Sequence, residues 1–256
     1  MKRFIITLIA ICTTLTSFGW GQKGHDVVAY IAECNLSPRA YKKVVAALEG
    51  HSPVYYANWL DGASHTPEYA YTKTWHYANV DEGNTFTTQP RNEKGDVVQA
   101  VTEIVEKLKS GNLSAEEENI NLRMLIHLVG DMHCPMHAGR LSDRGGNNVK
   151  VKYFGKSKKL HSVWDSELIE SAHRWGYTEW QREIDRVSKA EKREIIKGSP
   201  TDWFVQTHAT AVEVYKHTPN GASLSYDYVT LFTPTLEEQL LRGGLRLAHL
   251  LNEIYK

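Results

Sequence analysis

His127 and Asp131 stand four apart in HLVGD, and His161 and Asp165 repeat that spacing in HSVWD. Four residues is about one helical turn, so each pair presents an imidazole and a carboxylate from one face. Between the pairs lies His137, just past Pro135 in DMHCPMH, where the proline bends the chain and can turn the imidazole inward. Upstream are His25, Asp61 in NWLDGAS and His76 in TWHYAN. Imidazole and carboxylate are zinc donors. One His-x-x-x-Asp pair alone would read as a helix ion pair, but two of them around an HxxxDxHxPxH run point to metal. A structural zinc site takes four ligands and favours cysteine; here the candidates are too many for one closed site and nearly without thiols.

The elements that must position these residues read as mostly helical. Ser37-Pro38 is an N-cap followed by proline at the first helical position, with Gly50 as the stop. Residues 26–34 and 96–109 are periodic in apolar residues, the second ending near Gly111. Ser114 and Glu117 form a capping box that opens a helix through Val129. Ser199-Pro200 repeats the cap-then-proline device before 203–216, and Pro234 is expected to start a last helix to about Tyr255. Strict alternation occurs only in NVKVKYF, residues 148–154, and predicts a small β-hairpin near 148–162 whose lysines are solvated.

Residues 1–19 begin with Lys2 and Arg3, continue as an apolar run and end in Ser17 and Gly19. This is the pattern of a secretory signal peptide, too short to anchor in a membrane, with cleavage expected between Gly19 and Trp20. Residues 20–256 then form one domain, and the protein is expected to be secreted or periplasmic with no membrane anchor. Of 256 residues, 30 are Lys or Arg and 30 Asp or Glu, a net charge of zero, so no broad attraction to polyanions follows. Any positive charge that holds a phosphate must be local. Cys34 and Cys134 survive processing and are equally compatible with one disulfide or two thiols.

The pieces WGxxGH, WxD, WHY, HLVGDMHCPMH, RGGNN and LHSVWD, in that order from Trp20 to Asp165, resemble the zinc-dependent single-strand nucleases and 3′-nucleotidases of fungi, plants and bacteria. That family belongs to the superfamily of bacterial zinc-dependent phospholipase C. The resemblance implies an all-helical domain holding three zinc ions. One would be held by Asp61, His76, His127 and Asp131. A second would take His25 and the amino nitrogen and carbonyl oxygen of Trp20, sharing Asp131 as a bridge. The third would be held by His137, His161 and Asp165. His133 lies inside the motif without being a ligand and is read as orienting one by hydrogen bond.

The implied chemistry is in-line attack on phosphorus by a hydroxide shared between the two close ions, with the third stabilising the leaving 3′-oxygen and 5′-phosphates as products. Single-stranded RNA or DNA and 3′-nucleotides are the expected substrates, with no obligate protein partner. Tyr77 is expected to stack a base, and Asn79, Asn147 and Asn148 to lie near base or phosphate. Two departures stand out: Asn79 occupies the place of an acidic base contact in fungal relatives, and Ser64 that of a phosphate-binding arginine. The rival readings are a phospholipase C, disfavoured by Asp165 and by RGGNN, and a non-catalytic zinc binder.

Overall fold

The computed structural model describes residues 20–256; the signal peptide read at 1–19 and its cleavage site fall outside them. The order is α1 (Gln22–Cys34), α2 (Pro38–Ala47), α3 (Pro53–Tyr56), α4 (Trp59–Ala63), α5 (Val97–Ser110), α6 (Ala115–Met132), β1 (Lys150–Tyr153), β2 (Lys156–Lys159), α7 (Leu160–Ser162), α8 (Leu168–Ala172), α9 (Tyr177–Ile184), α10 (Lys189–Ile195), α11 (Pro200–His217), β3 (Ser223–Leu224) and α12 (Tyr226–Ile254). Short 3₁₀ turns cover Ala70–Thr74 and Pro135–Ala138. The fold is mostly α, as expected.

Local chemistry sets the helix ends. The Ser37 hydroxyl accepts from Ala40 N at 3.1 Å, with Pro38 as the first helical residue. Asp96 accepts from Val98 N and Gln99 N at 3.0 and 3.1 Å, and Gly111 closes α5 in the left-handed region at φ 67°. At α6, Glu117 N donates to Ser114 Oγ at 3.3 Å while Ser114 N donates to Glu117 Oε2 at 2.8 Å. This reciprocal box starts the helix that carries His127 and Asp131.

Helix α12 is the long strut of the core and packs along α1, which also meets α6. The crossing is close because α12 offers no side chain there. A Cβ on Gly244 would lie 2.4 Å from Ile31 Cβ, and Ile31 is fully buried. Helix α12 also corrects an expectation, since it begins at Tyr226 and runs through Pro234. A proline inside a helix costs roughly 3 kcal/mol. Here Tyr228 and Phe232 before it and Leu236 and Leu240 after it are buried at four-residue spacing, so one packed stripe carries the helix through.

The hairpin is where alternation placed it. Strand β1 pairs antiparallel with β2, Lys150 opposite Lys159 and Tyr153 opposite Lys156. Val151 and Tyr153 point inward. Phe154 and Gly155, with φ of 47° and 76°, make the two-residue turn, whose twist suits paired strands. Strand β3, only two residues long and parallel to β1, was not anticipated; two residues carry no readable alternation.

Gly244→Ala should lower stability to unfolding by about 1–3 kcal/mol, since the added methyl meets backbone and a branched side chain that cannot move aside. Gly62→Ala is the control, because nothing lies within 4 Å of its new methyl, and it should be neutral or gain roughly 0.5–1 kcal/mol. Urea unfolding midpoints measure both; equal losses would remove the close crossing as the cause.

Candidate metal centre

The last two turns of α6 carry His127, Gly130 and Asp131. Gly130 leaves a gap on the helix surface that the His25 ring of α1 enters; a Cβ there would lie 2.7 Å from His25 Nδ1. His25 consequently stacks on His127 with ring centroids 4.0 Å apart. The buried Asp131 carboxylate faces two ways. Its Oδ2 lies 2.8 Å from His76 Nδ1 and 3.1 Å from His127 Nε2, while Oδ1 lies 3.2 Å from His25 Nε2 and 3.7 Å from His137 Nδ1. Helix α4 adds Asp61, whose Oδ1 is 3.4 Å from His127 Nε2 and 3.9 Å from His76 Nδ1.

A second group adjoins the first. His137 rides on the 3₁₀ turn after Pro135, and that turn is tied to the segment after His76: Ala78 N donates to His137 O at 3.0 Å and Val80 N to Gly139 O at 2.9 Å. His208 of α11 braces the same turn through Nδ1–H to Ala138 O at 2.7 Å. His161 and Asp165 lie on the helical stretch after β2, which widens into a π turn over Val163–Glu167. The four-residue spacing still brings them together, His161 Nε2 to Asp165 Oδ2 at 3.2 Å. His137 Nε2 is 3.7 Å from Asp165 Oδ1.

Hydrogen bonds behind the rings fix which nitrogen faces inward. His127 Nδ1–H donates to Ala57 O at 2.8 Å, His137 Nδ1–H to His76 O at 2.6 Å and His161 Nδ1–H to Gly145 O at 2.6 Å. Each leaves Nε2 as the free donor atom, the arrangement that orients histidine for a metal. Nε2 of His25, His137 and His161 and one oxygen each of Asp61 and Asp131 are buried without any hydrogen bond. Buried polar atoms left unpaired are costly, and divalent cations shared among these groups would satisfy them, so the donor set fits zinc. Burial opposes charge on Asp131, but His127 and His137 beside it hold its carboxyl well below the usual range. Burial likewise opposes charge on His127, yet Asp131 and Asp61 raise it well above an ordinary histidine.

His133 is turned out of this cluster. Its Nδ1–H donates to Val129 O at 2.7 Å, and its Nε2 accepts from Arg246 at 2.9 Å. Burial first, then Arg246, push its pKa down to about 3, so it stays neutral. It steadies the end of α6 rather than touching a donor residue directly. Trp20 is fully buried: Gly21 N donates to Asp165 O at 2.6 Å, and a Cβ on Gly24 would lie 2.8 Å from Trp20 Cβ. Both glycines of WGxxGH are thereby explained as close approaches. Cys34 is exposed and Cys134 buried, both as free thiols. Of the histidines outside the motifs, His51 stacks on Tyr55, His173 on Trp175, and His217 donates to Glu213 O.

A cleft of about 110 Å³ opens beside the second group, lined by Tyr77, Asn79, Met136, His137, Leu141, Arg144, Asn147 and His161. Tyr77 is half-buried there, and Asn79 Oδ1 is buried without a hydrogen bond. Asn148 does not line this cleft; its N–H is taken by Asp143 O at 2.9 Å. Ser64 is buried with its hydroxyl donating to Asp61 O at 3.1 Å, so it is spent within its own turn. Sequence reading passed over Arg144, which was visible in RGGNN, and Cys134, whose Sγ–H donates to Asp165 Oδ1 at 3.5 Å. It had no means of finding Arg246, 113 positions from His133.

The profile of the S1/P1 nuclease family matches residues 20–256. Among curated proteins the chain is similar to Endonuclease 2 of Arabidopsis thaliana, 26% identical over 281 residues covering 98% of this chain and 96% of the relative. It is 27% identical to Nuclease P1 of Penicillium citrinum over 267 residues, covering 92% and 98%. Nuclease S1 of Aspergillus oryzae is 24% identical over 276 residues, covering 95% and 94%.

Zinc added to metal-stripped protein should raise its thermal midpoint, since each site held at 100 times its Kd contributes about 2.7 kcal/mol. Asp131→Asn keeps the shape but removes the charge that both faces share, and most of the rise should vanish with it. Thermal unfolding with and without zinc measures this; an undiminished rise would show that Asp131 is not at the centre of the metal set.

Proposed function

This chain is a member of the S1/P1 nuclease family, and from that premise we propose how its residues divide the work of a zinc-dependent phosphodiesterase. As a member of that family it is a hydrolase acting on single-stranded nucleic acid. We assign three zinc ions to residues 20–256. Asp61, His76, His127 and Asp131 hold the first; His25, Asp131 and the backbone of Trp20 hold the second; His137, His161 and Asp165 hold the third. The observation that carries this assignment is the convergence of buried, hydrogen-bond-free donor atoms on Asp131 and Asp165. The two-sided Asp131 carboxylate supports its role as the bridge.

Zinc, when bound, supplies Lewis-acid charge and an activated water at neutral pH. The protein's own part is positional. Asp131 would hold the first two ions together, since its two oxygens face different imidazoles. The backbone carbonyls of Ala57, His76 and Gly145 hold three imidazoles in the donating tautomer. Trp20 offers a good nitrogen ligand only as a free amine, because a peptide amide nitrogen is a poor donor. Loss of residues 1–19 would therefore complete the site, in keeping with a secreted or periplasmic protein.

The cleft beside His137 and His161 takes the nucleotide. Tyr77 supplies a flat face for a base, and Asn79 an amide that can both donate to and accept from a base edge. Arg144 provides at the rim the cation that Ser64 does not, and Asn147 a polar contact nearby. Mononucleotides with a 3′-phosphate fit the same reading, as do 5′-phosphate products.

The deciding experiment is nucleotide release from single-stranded RNA by protein beginning at Trp20, beside the same protein retaining Gly19 and beside phosphatidylcholine as substrate. Release from RNA alone, lost when Gly19 is kept, is expected. Equal activity of the two forms would remove Trp20 from the metal set, and cleavage of phosphatidylcholine instead of RNA would overturn the substrate reading. Tyr77→Ala should weaken binding of short oligonucleotides by roughly 1–3 kcal/mol per stacked base; unchanged affinity, measured by fluorescence anisotropy, would leave Tyr77 a packing residue only.

A further inference from the structure

The third metal group contains one donor that neither the sequence motifs nor the reading above uses. Cys134 follows His133 directly and precedes Pro135, so its side chain is fixed between the end of α6 and the turn that carries His137. It is fully buried. Its Sγ, His137 Nε2 and an Asp165 oxygen all lie within 4.8 Å of one another. The His137 and His161 rings stack with centroids 5.1 Å apart, and the Nε2 of each is buried without a hydrogen bond.

We propose that Cys134 is a protein ligand of the third ion, giving that site a sulfur donor beside His137, His161 and Asp165. The inference rests on the assignment of a third ion made above. The spacing supports it. Zinc–sulfur and zinc–oxygen bonds of about 2.3 and about 2.0 Å in a tetrahedron place the two donors about 3.5 Å apart. Cys134 Sγ and Asp165 Oδ1 are 3.5 Å apart. The other edge that meets the same oxygen is His137 Nε2 to Asp165 Oδ1 at 3.7 Å, against about 3.3 Å for an ideal nitrogen–oxygen edge, while His161 Nε2 lies 3.2 Å from the second carboxylate oxygen, Oδ2. To serve as a ligand Cys134 would have to give up the thiol proton that it now donates to Asp165 Oδ1, and that proton would leave to water.

Four protein donors fill a tetrahedron. Closed four-ligand sets are the mark of tightly held ions, whereas catalytic ions keep a position open. A third ion held through Cys134 would be the softest of the three, since it alone would have a sulfur donor. It could meet a leaving oxygen only by expanding to five ligands.

The test uses cobalt in place of zinc, in protein beginning at Trp20 and carrying Cys34→Ser, so that Cys134 is the one thiol left. Bound cobalt is counted by elemental analysis, and the absorption spectrum is recorded. Three ions with a near-ultraviolet sulfur-to-cobalt charge-transfer band are expected, and adding Cys134→Ser should abolish the band. Three ions without that band would overturn the sulfur ligand while leaving the third ion in place. Only two ions, and no band, would overturn the third-ion assignment and the proposal with it. Should Cys134→Ser fail to fold, the Cys34→Ser protein alone decides, because any thiol band in it can come only from Cys134.

Discussion

A carboxylate sealed from water is the constraint around which this protein is organised. Asp131 is fully buried, and an isolated charge in such a place would be far too costly to keep. Four imidazoles surround it, drawn from α1, the segment after the Ala70–Thr74 turn, α6 itself and the Pro135–Ala138 turn. Each of those segments must be held at its own correct distance, and much of the remaining fold does that holding. Helix α1 is seated between two glycine gaps, Gly130 of α6 receiving His25 and Gly244 of α12 receiving Ile31. Displacing α1 on either side would move His25 away from the carboxylate.

Much of this could be read from residue order, because the relevant distances are local. One helical turn relates His127 to Asp131, and capping residues at Ser114 and Glu117 state where that helix begins. The same spacing brings His161 and Asp165 together, although the chain between them widens into a π turn rather than a regular helix. Other features depend on contacts that order does not encode. Pro234 looked like a helix start because its local cost is plain, whereas the buried stripe that overrides that cost is tertiary. The hydrogen bond from Arg246 to His133 links residues 113 positions apart. Cys134 was weighed only for pairing with Cys34, and its position against Asp165 emerged from the packing of the turn.

The charge pattern follows from the same division. A chain with equal numbers of acids and bases cannot attract a polyanion over its whole surface. Any positive charge that meets a phosphate must therefore be local, and Arg144 lines the cleft beside the buried donors. Specificity for unpaired strands is consistent with such a design, because a narrow cleft with one aromatic face suits a single exposed base better than a duplex.

The hairpin leaves the chain between Asn147, at the cleft, and His161, in the metal group. Only its inner face, Val151 and Tyr153, is committed to the core. Its outer face carries Lys150, Lys152 and Lys159, and nothing lies within 4 Å of where a side chain on Gly155 would begin. The outer face of the hairpin is therefore free to vary. Its exposed lysines can be recharged while its ends and its pairing with β3 stay pinned, so that the surface charge there can be changed without moving the donor residues.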